Sequence, residues 1–141
     1  LEFRRVLFRS VSAVCDRAGD AVLAQELVSD GFEVMLSALR DPEFGPVVFL
    51  RPGGVLAERM SGQAVLWSGW DAPRRDRVLR RTALGEILAG YRGGTRYDLA
   101  ALGELVSAAL DAVAAQMSFL EINPVIVCAS GVYAVDAIAR R

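Results

Sequence analysis

The sequence predicts an α+β fold in which helices pack on one face of a largely antiparallel sheet. Three observations support that prediction. Short β-branched and apolar runs, punctuated by Gly and Pro, occupy the chain up to Trp67. From Pro73 to Met117 apolar residues recur at helical spacing instead. The chain then returns to two β-branched runs, Val125 to Cys128 and Val132 to Val135, joined by small, turn-prone residues.

Taken in order, Val11 to Ala18 has the pattern of a helix end and Ala21 to Val28 that of a strand. Asp30-Gly31 is a strong hairpin signal, because a type I′ turn needs positive φ at both central positions and this dipeptide tolerates it. The strand is therefore expected to return as Phe32 to Leu39, with Glu33 facing Val28 and Glu26 two residues along the same face. Pro42, Gly45 and Pro46 break the next linker. Val47 to Leu50 and Val55 to Ala57 read as short strands around Pro52-Gly53-Gly54, and Ala64 to Trp67 as a further one.

A helix is expected from Pro73, where a missing N–H costs little, through Val78, Leu79, Ala83, Ile87 and Leu88 to Gly90 or Gly93-Gly94. The second helix has Asp98 as its cap and Tyr97 and Leu102 at the two staple positions. Its stripe is Leu99, Leu102, Val106, Leu110, Val113 and Met117.

With 53% apolar and 23% charged residues, the 141-residue chain has the composition of one globular domain. All sixteen basic residues are Arg. With no Lys and no His, the chain offers no Schiff-base lysine, P-loop lysine, imidazole base or His-ligated zinc. The net charge is −1, so a basic nucleic-acid binder is not expected. Cys15 and Cys128 form no CxxC and read as small buried residues in a reducing compartment. No run of 18 apolar residues suggests a membrane span, and a cytoplasmic location is the expectation.

The most chemical stretch is Glu121-Ile122-Asn123-Pro124 with the hairpin after it. If Ala129 and Ser130 form the loop, the register places Asn123 directly opposite Asp136. Facing residues have Cβ atoms about 4.5–5.5 Å apart, so an amide oxygen and a carboxylate reach one magnesium ion, with Glu121 on the same face. Without further context, ordinary polar residues near a turn explain the pair better than a metal site does.

These words resemble a known family. EINP with the later Asp of AVDA, VLAQELVSDGFEVML (Val22 to Leu36), RDPEFGPVVF (Arg40 to Phe49), PGGVLAE (Pro52 to Glu58) and GYRGGTRYDL (Gly90 to Leu99) resemble, in order, the C-terminal part of the ATP-grasp domain in ADP-forming (NDP-forming) acyl-CoA synthetases and succinyl-CoA synthetase beta subunits. The resemblance runs from about Ala21 to Ala137. It implies an ATP-grasp C-terminal lobe that binds ATP or ADP with Mg2+. It also implies backbone and side chains at Gln25, Glu26, Leu27 and Val28 near adenine, Glu33 near the ribose, Gly53, Gly54 and Glu58 near phosphate, and Asn123 and Asp136 on the metal. The implied partner is a CoA-binding and phosphohistidine domain or subunit. No nucleic acid or membrane partner is implied. Leu1 to Ser10 carries none of these motifs, looks like a translated sequencing adapter and is expected to be foreign, leaving residues 11–141 as a partial ATP-grasp domain with 13 basic and 16 acidic residues.

The chain departs from the family pattern in two places. Arg51 and Pro52 replace residues that are normally small, and Ser61-Gly62 stands where a Lys-Asp pair is expected. Two further readings therefore stand beside the ligase: the ATP-grasp-like region of a synthetase-related protein acetyltransferase, and a non-catalytic assembly lobe. Arg92, between glycines, is equally an anion contact or a helix-end pin. The arginines at 74, 75, 77, 80 and 81 read as a solvated helix face, and Trp67 and Trp70 as core and lid residues.

Overall fold

The computed structural model describes residues 27–54 and 63–141. The strand of Ala21 to Val28 in its first part, the strand of Val55 to Ala57, and Gln25, Glu26, Glu58 and Cys15 lie outside the described residues, as does Leu1 to Ser10. The elements are β1 (Phe32–Asp41), β2 (Gly45–Pro52), β3 (Ala64–Trp67), α1 (Ala72–Arg80), α2 (Ala83–Leu88), a 3-10 turn (Tyr91–Gly93), α3 (Leu99–Ala115), β4 (Phe119–Val127), β5 (Val132–Ala134) and β6 (Ala137–Arg140). The strands form one antiparallel sheet in the order β3-β2-β1-β4-β5, with β6 also paired to β4. Among the described residues no helix is long and apolar enough to cross a membrane.

β1 alternates strictly. Val34, Leu36 and Ala38 are fully buried on the helix side, in register with Pro52, Leu50 and Val48 of β2 and, across β4, with Val125, Ile122 and Leu120. Leu102, Val106, Leu110 and Val113 of α3 join the same core, as the expected stripe requires. The helices cover this face only. Glu33, Met35 and Ser37 point to the other, which the described helices leave open.

Several local expectations give way to longer-range pairing. Asp30-Gly31 is a bend and not a hairpin: β1 is already paired to β2 on one edge and β4 on the other, so Glu33 faces Ile126, and Leu27 to Ser29 lie outside any strand. Gly31 crosses the open face so closely that a Cβ there would collide with the Ile126 side chain. The Pro42-Gly45 linker is in fact the hairpin between β1 and β2, closed at Asp41 and Gly45. Asp41 Oδ1 accepts from the amides of Glu43 and Phe44, each at 2.9 Å, and Gly45 takes φ 75°, which is a three-residue turn ending in a left-handed glycine.

The single helix expected from Pro73 to Gly90 is two. Thr82 caps α2, its hydroxyl accepting from the Gly85 amide at 3.1 Å and donating to the Leu79 carbonyl at 2.7 Å. That break shifts the buried phase, so Leu84 is buried and Ala83 is exposed. On α1 Arg74 lies over the Trp70 ring at 4.8 Å, Arg80 pairs with Asp76 at 2.8 Å, and Arg75 bonds the Trp70 carbonyl and Ser107. Arg77 and Arg81 are exposed.

Both ends of α3 are fastened to the sheet. Asp98 caps the N-terminus through the Ala101 amide at 2.9 Å, and its other oxygen accepts from Gly131 at 2.9 Å in the turn between β4 and β5. At the other end the Arg40 guanidinium donates to the Val113 carbonyl at 3.2 Å and to that of Ala114. Each charge sits at the helix end whose dipole it complements.

Two measurements check this packing. Leu36→Ala opens a cavity at the centre of the sheet and is expected to cost about 2–5 kcal/mol in a denaturant titration. The Asp98 carboxyl is held below its ordinary value of 3.8, chiefly by the Ala101 amide and then by that of Gly131. The lowered pKa contributes stability that is present above the ordinary value and lost as pH falls through the folded one. Asp98→Ala should therefore lower Tm near neutral pH and flatten the loss of stability below about pH 4.

Candidate functional site

The open face is organised as transverse rows fixed by strand register. Gly53, Glu33, Ile126 and Tyr133 form one row, since the Gly53 amide donates to the Glu33 carbonyl at 2.8 Å and Glu33 and Tyr133 both pair with Ile126. Two residues along β1, about 7 Å, Met35 pairs with Arg51 on one side. On the other side β1 and β4 change register between Val34 and Leu36, so Met35 faces the two residues Asn123 and Pro124. The third row joins Phe49, Ser37, Glu121 and Ile138, with the Ser37 hydroxyl donating to Glu121 Oε2 at 3.3 Å.

The register change is a β-bulge at a proline, where a strand tolerates a residue with no N–H. It also aims Asn123. Val127↔Val132, Ile126↔Tyr133, Val125↔Ala134 and, beyond the gap between β5 and β6, Ile122↔Ala137 belong to one continuous register, closed by the Cys128 amide on the Gly131 carbonyl at 3.0 Å. The Asn123 amide donates to the Asp136 carbonyl at 3.0 Å, so these two residues stand opposite each other as the loop of Ala129 and Ser130 requires. Both are exposed. Among the described residues no other side chain engages the Asn123 amide group or the Asp136 carboxylate.

That donor set fits a hard cation: one amide oxygen, one carboxylate and open space for ligand and water oxygens. Among the described residues no group of three or more His, Cys, Asp or Glu is placed to hold a metal by itself. A cation here would thus depend on oxygens brought by a ligand, as magnesium does at nucleotide sites.

Glu33 and the glycine turn are brought together at the end of the same face. Gly53 is buried, and a Cβ on it would lie 3.2 Å from the Glu33 carbonyl carbon. Gly54 has φ 57°, and a Cβ there would collide with the Glu33 carboxylate. Leu27 is exposed and Val28 half-buried in the segment that leads into Gly31 over this end. The sequence reading did not single out Met35 and Ser37 as face residues; their alternation with Val34, Leu36 and Ala38 is the signal that would have found them. Arg92 adopts φ 52° and lies over the Tyr91 ring at 5.3 Å.

The described residues form a two-layer α+β domain whose helix-free sheet face carries exposed side-chain oxygens at Asn123 and Asp136 and ends at a glycine turn. A model of the ATP-grasp domain matches residues 4–140, and the chain belongs to that family. ATP-grasp domains bind nucleotide. The chain is 37% identical over 123 residues to a trans-feruloyl-CoA synthase of an unknown prokaryotic organism, covering 84% of this chain and 17% of that protein. It is 29% identical over 119 residues to an ADP-forming acetate–CoA ligase of Archaeoglobus fulgidus, covering 83% and 17%. Among solved structures, the dinucleotide forming acetyl-coenzyme A synthetase 1 of Ca. Korarchaeum cryptofilum, in complex with coenzyme A and Mg-AMPPCP, is similar with a TM-score of 0.72 and 26% identity over 82% of this chain and 55% of that one. The chain therefore spans about a sixth of the first curated relatives and about half of this solved chain.

Gly54→Ala tests the close approach at Glu33. The left-handed backbone and the displaced carboxylate should together cost at least about 1 kcal/mol in a denaturant titration.

Proposed function

We propose that this chain is the nucleotide- and magnesium-binding part of an ADP-forming acyl-CoA synthetase, the enzyme class that interconverts a carboxylic acid, CoA and ATP with acyl-CoA, ADP and phosphate. The observation that supports this best is the pairing of Asn123 with Asp136 on the open face, in the row next to Glu33 and the Gly53-Gly54 turn. The names of the trans-feruloyl-CoA synthase and the ADP-forming acetate–CoA ligase agree with it.

In this reading Asn123 and Asp136 hold Mg2+, which neutralises phosphate charge. Glu33 accepts from ribose hydroxyls, and the Gly53-Gly54 backbone lies near phosphate. Gln25, Glu26, Leu27 and Val28 read the adenine edge by backbone and side chain, and Glu58 is a further contact. The chain contains no histidine, so a phosphorylated histidine belongs to another domain or subunit. What these residues contribute is positioning and charge stabilisation.

One observation favours a second reading. Ser61-Gly62 replaces the Lys-Asp pair, and the chain has no lysine at all, which suits a synthetase-related protein acetyltransferase whose nucleotide site has decayed or become regulatory. A titration separates the two. In the full-length protein Asp136→Asn removes a full charge beside the cation while keeping shape. Magnesium-dependent ADP binding, measured by calorimetry, should weaken by about 2–5 kcal/mol with little change in Tm. Unchanged affinity in the variant, or no magnesium dependence in the unaltered protein, removes the metal assignment.

A further inference from the structure

Arg51 occupies an unusual place. It lies on the open face in the same row as the proposed metal pair: Arg51 on β2, Met35 on β1, Asn123 at the β4 bulge and Asp136 across from it. Three strand spacings, about 14 Å, separate the two ends of that row. Arg51 is exposed, and its guanidinium rests on the Met35 sulfur, with Nε at 3.0 Å and Nη2 at 2.8 Å. A thioether is a weak acceptor, so the donors of the guanidinium are hardly spent there. Among the described residues no carboxylate pairs with it. Glu33 sits two residues along on the same face, against Gly54.

We propose that Arg51 is a phosphate-binding residue of this site, gripping the polyphosphate chain of the nucleotide from the side opposite the magnesium pair. The inference rests on the reading of the open face as the nucleotide site and adds a residue that this reading does not contain. The row has an anion-seeking end at Arg51 and a cation-holding end at Asn123 and Asp136. A phosphate chain bound to magnesium has both complements, since its oxygens coordinate the metal at one point and accept from a guanidinium at another. Because the chain has no lysine, any side-chain cation that it presents to phosphate is an arginine. Among the described residues, Arg51 is the one whose strand position puts it on that row. Met35 engages the Nε–Nη2 edge of the guanidinium only weakly and leaves the Nη1 side of the planar fork to act.

The test is ADP binding by calorimetry in the full-length protein, with and without magnesium, for Arg51→Gln, Arg51→Lys and Asp136→Asn. Arg51→Gln should raise the Kd of ADP about tenfold, the worth of one charge-assisted hydrogen bond. The loss should be of similar size with and without magnesium, and the dependence of Kd on salt should become shallower. Asp136→Asn should affect the magnesium-dependent part alone. If Arg51→Gln also lowers Tm, Arg51→Lys decides: recovered affinity supports a phosphate contact, and no recovery overturns it. An Arg51→Gln protein with unchanged Tm that binds ADP within twofold of the unaltered protein overturns the proposal while leaving the magnesium reading intact. An unaltered protein that binds no ADP overturns both.

Discussion

β1 has no free edge, and that constraint organises the rest of the molecule. Paired to β2 on one side and β4 on the other, it fixes the height of every residue on both faces of the sheet. A shift of one residue in either ladder would turn Val34, Leu36 and Ala38 out of the core and put Glu33, Met35 and Ser37 in their place. The core therefore enforces the register, and the register in turn sets which side chains share a row on the open face. Hydrophobic burial on one side thus specifies polar geometry on the other.

Among the described residues, the register shift between β1 and β4 falls where the chemistry is proposed. On β4 the extra residue at Asn123-Pro124 lets Ile122 and Val125 both face the core, although they lie three positions apart. Asn123 then takes the open face together with Glu121 and opposite Asp136. A regular strand could not bury both flanking apolar residues at that spacing and also expose Asn123 in line with Glu121.

Much of this was legible in the sequence, and the reasons differ from element to element. The β4–β5 turn could be read because its register depends only on the small residues between Cys128 and Gly131, and that local register places Asn123 against Asp136. α3 was legible because its cap and stripe are internal to the helix. Asp30-Gly31 misled because its turn chemistry is local while the competition for the edges of β1 is not: Phe32 pairs with Val127 of β4, far along the chain. The break at Thr82 had a signal, a threonine in cap position, masked by apolar residues whose spacing spans it. The row through Arg51 needed the Asp41–Gly45 closure, which an aspartate at the start and a glycine at the end of the loop do encode. Its other half, the pairing of β1 with β4, leaves no local trace.

The fastening of α3 has a consequence for the opposite side of the sheet. An aspartate ties one end of the helix to the β4–β5 turn, and an arginine at the far end of β1 ties the other. The two strands that frame the open face are thus braced against a single rod, in the way a truss stiffens a deck from beneath. A surface held like this has little freedom left to lose when a ligand settles on it, so association forfeits less entropy than it would on a face assembled from loops. The helix touches nothing on that surface, yet it sets how sharply the surface is defined.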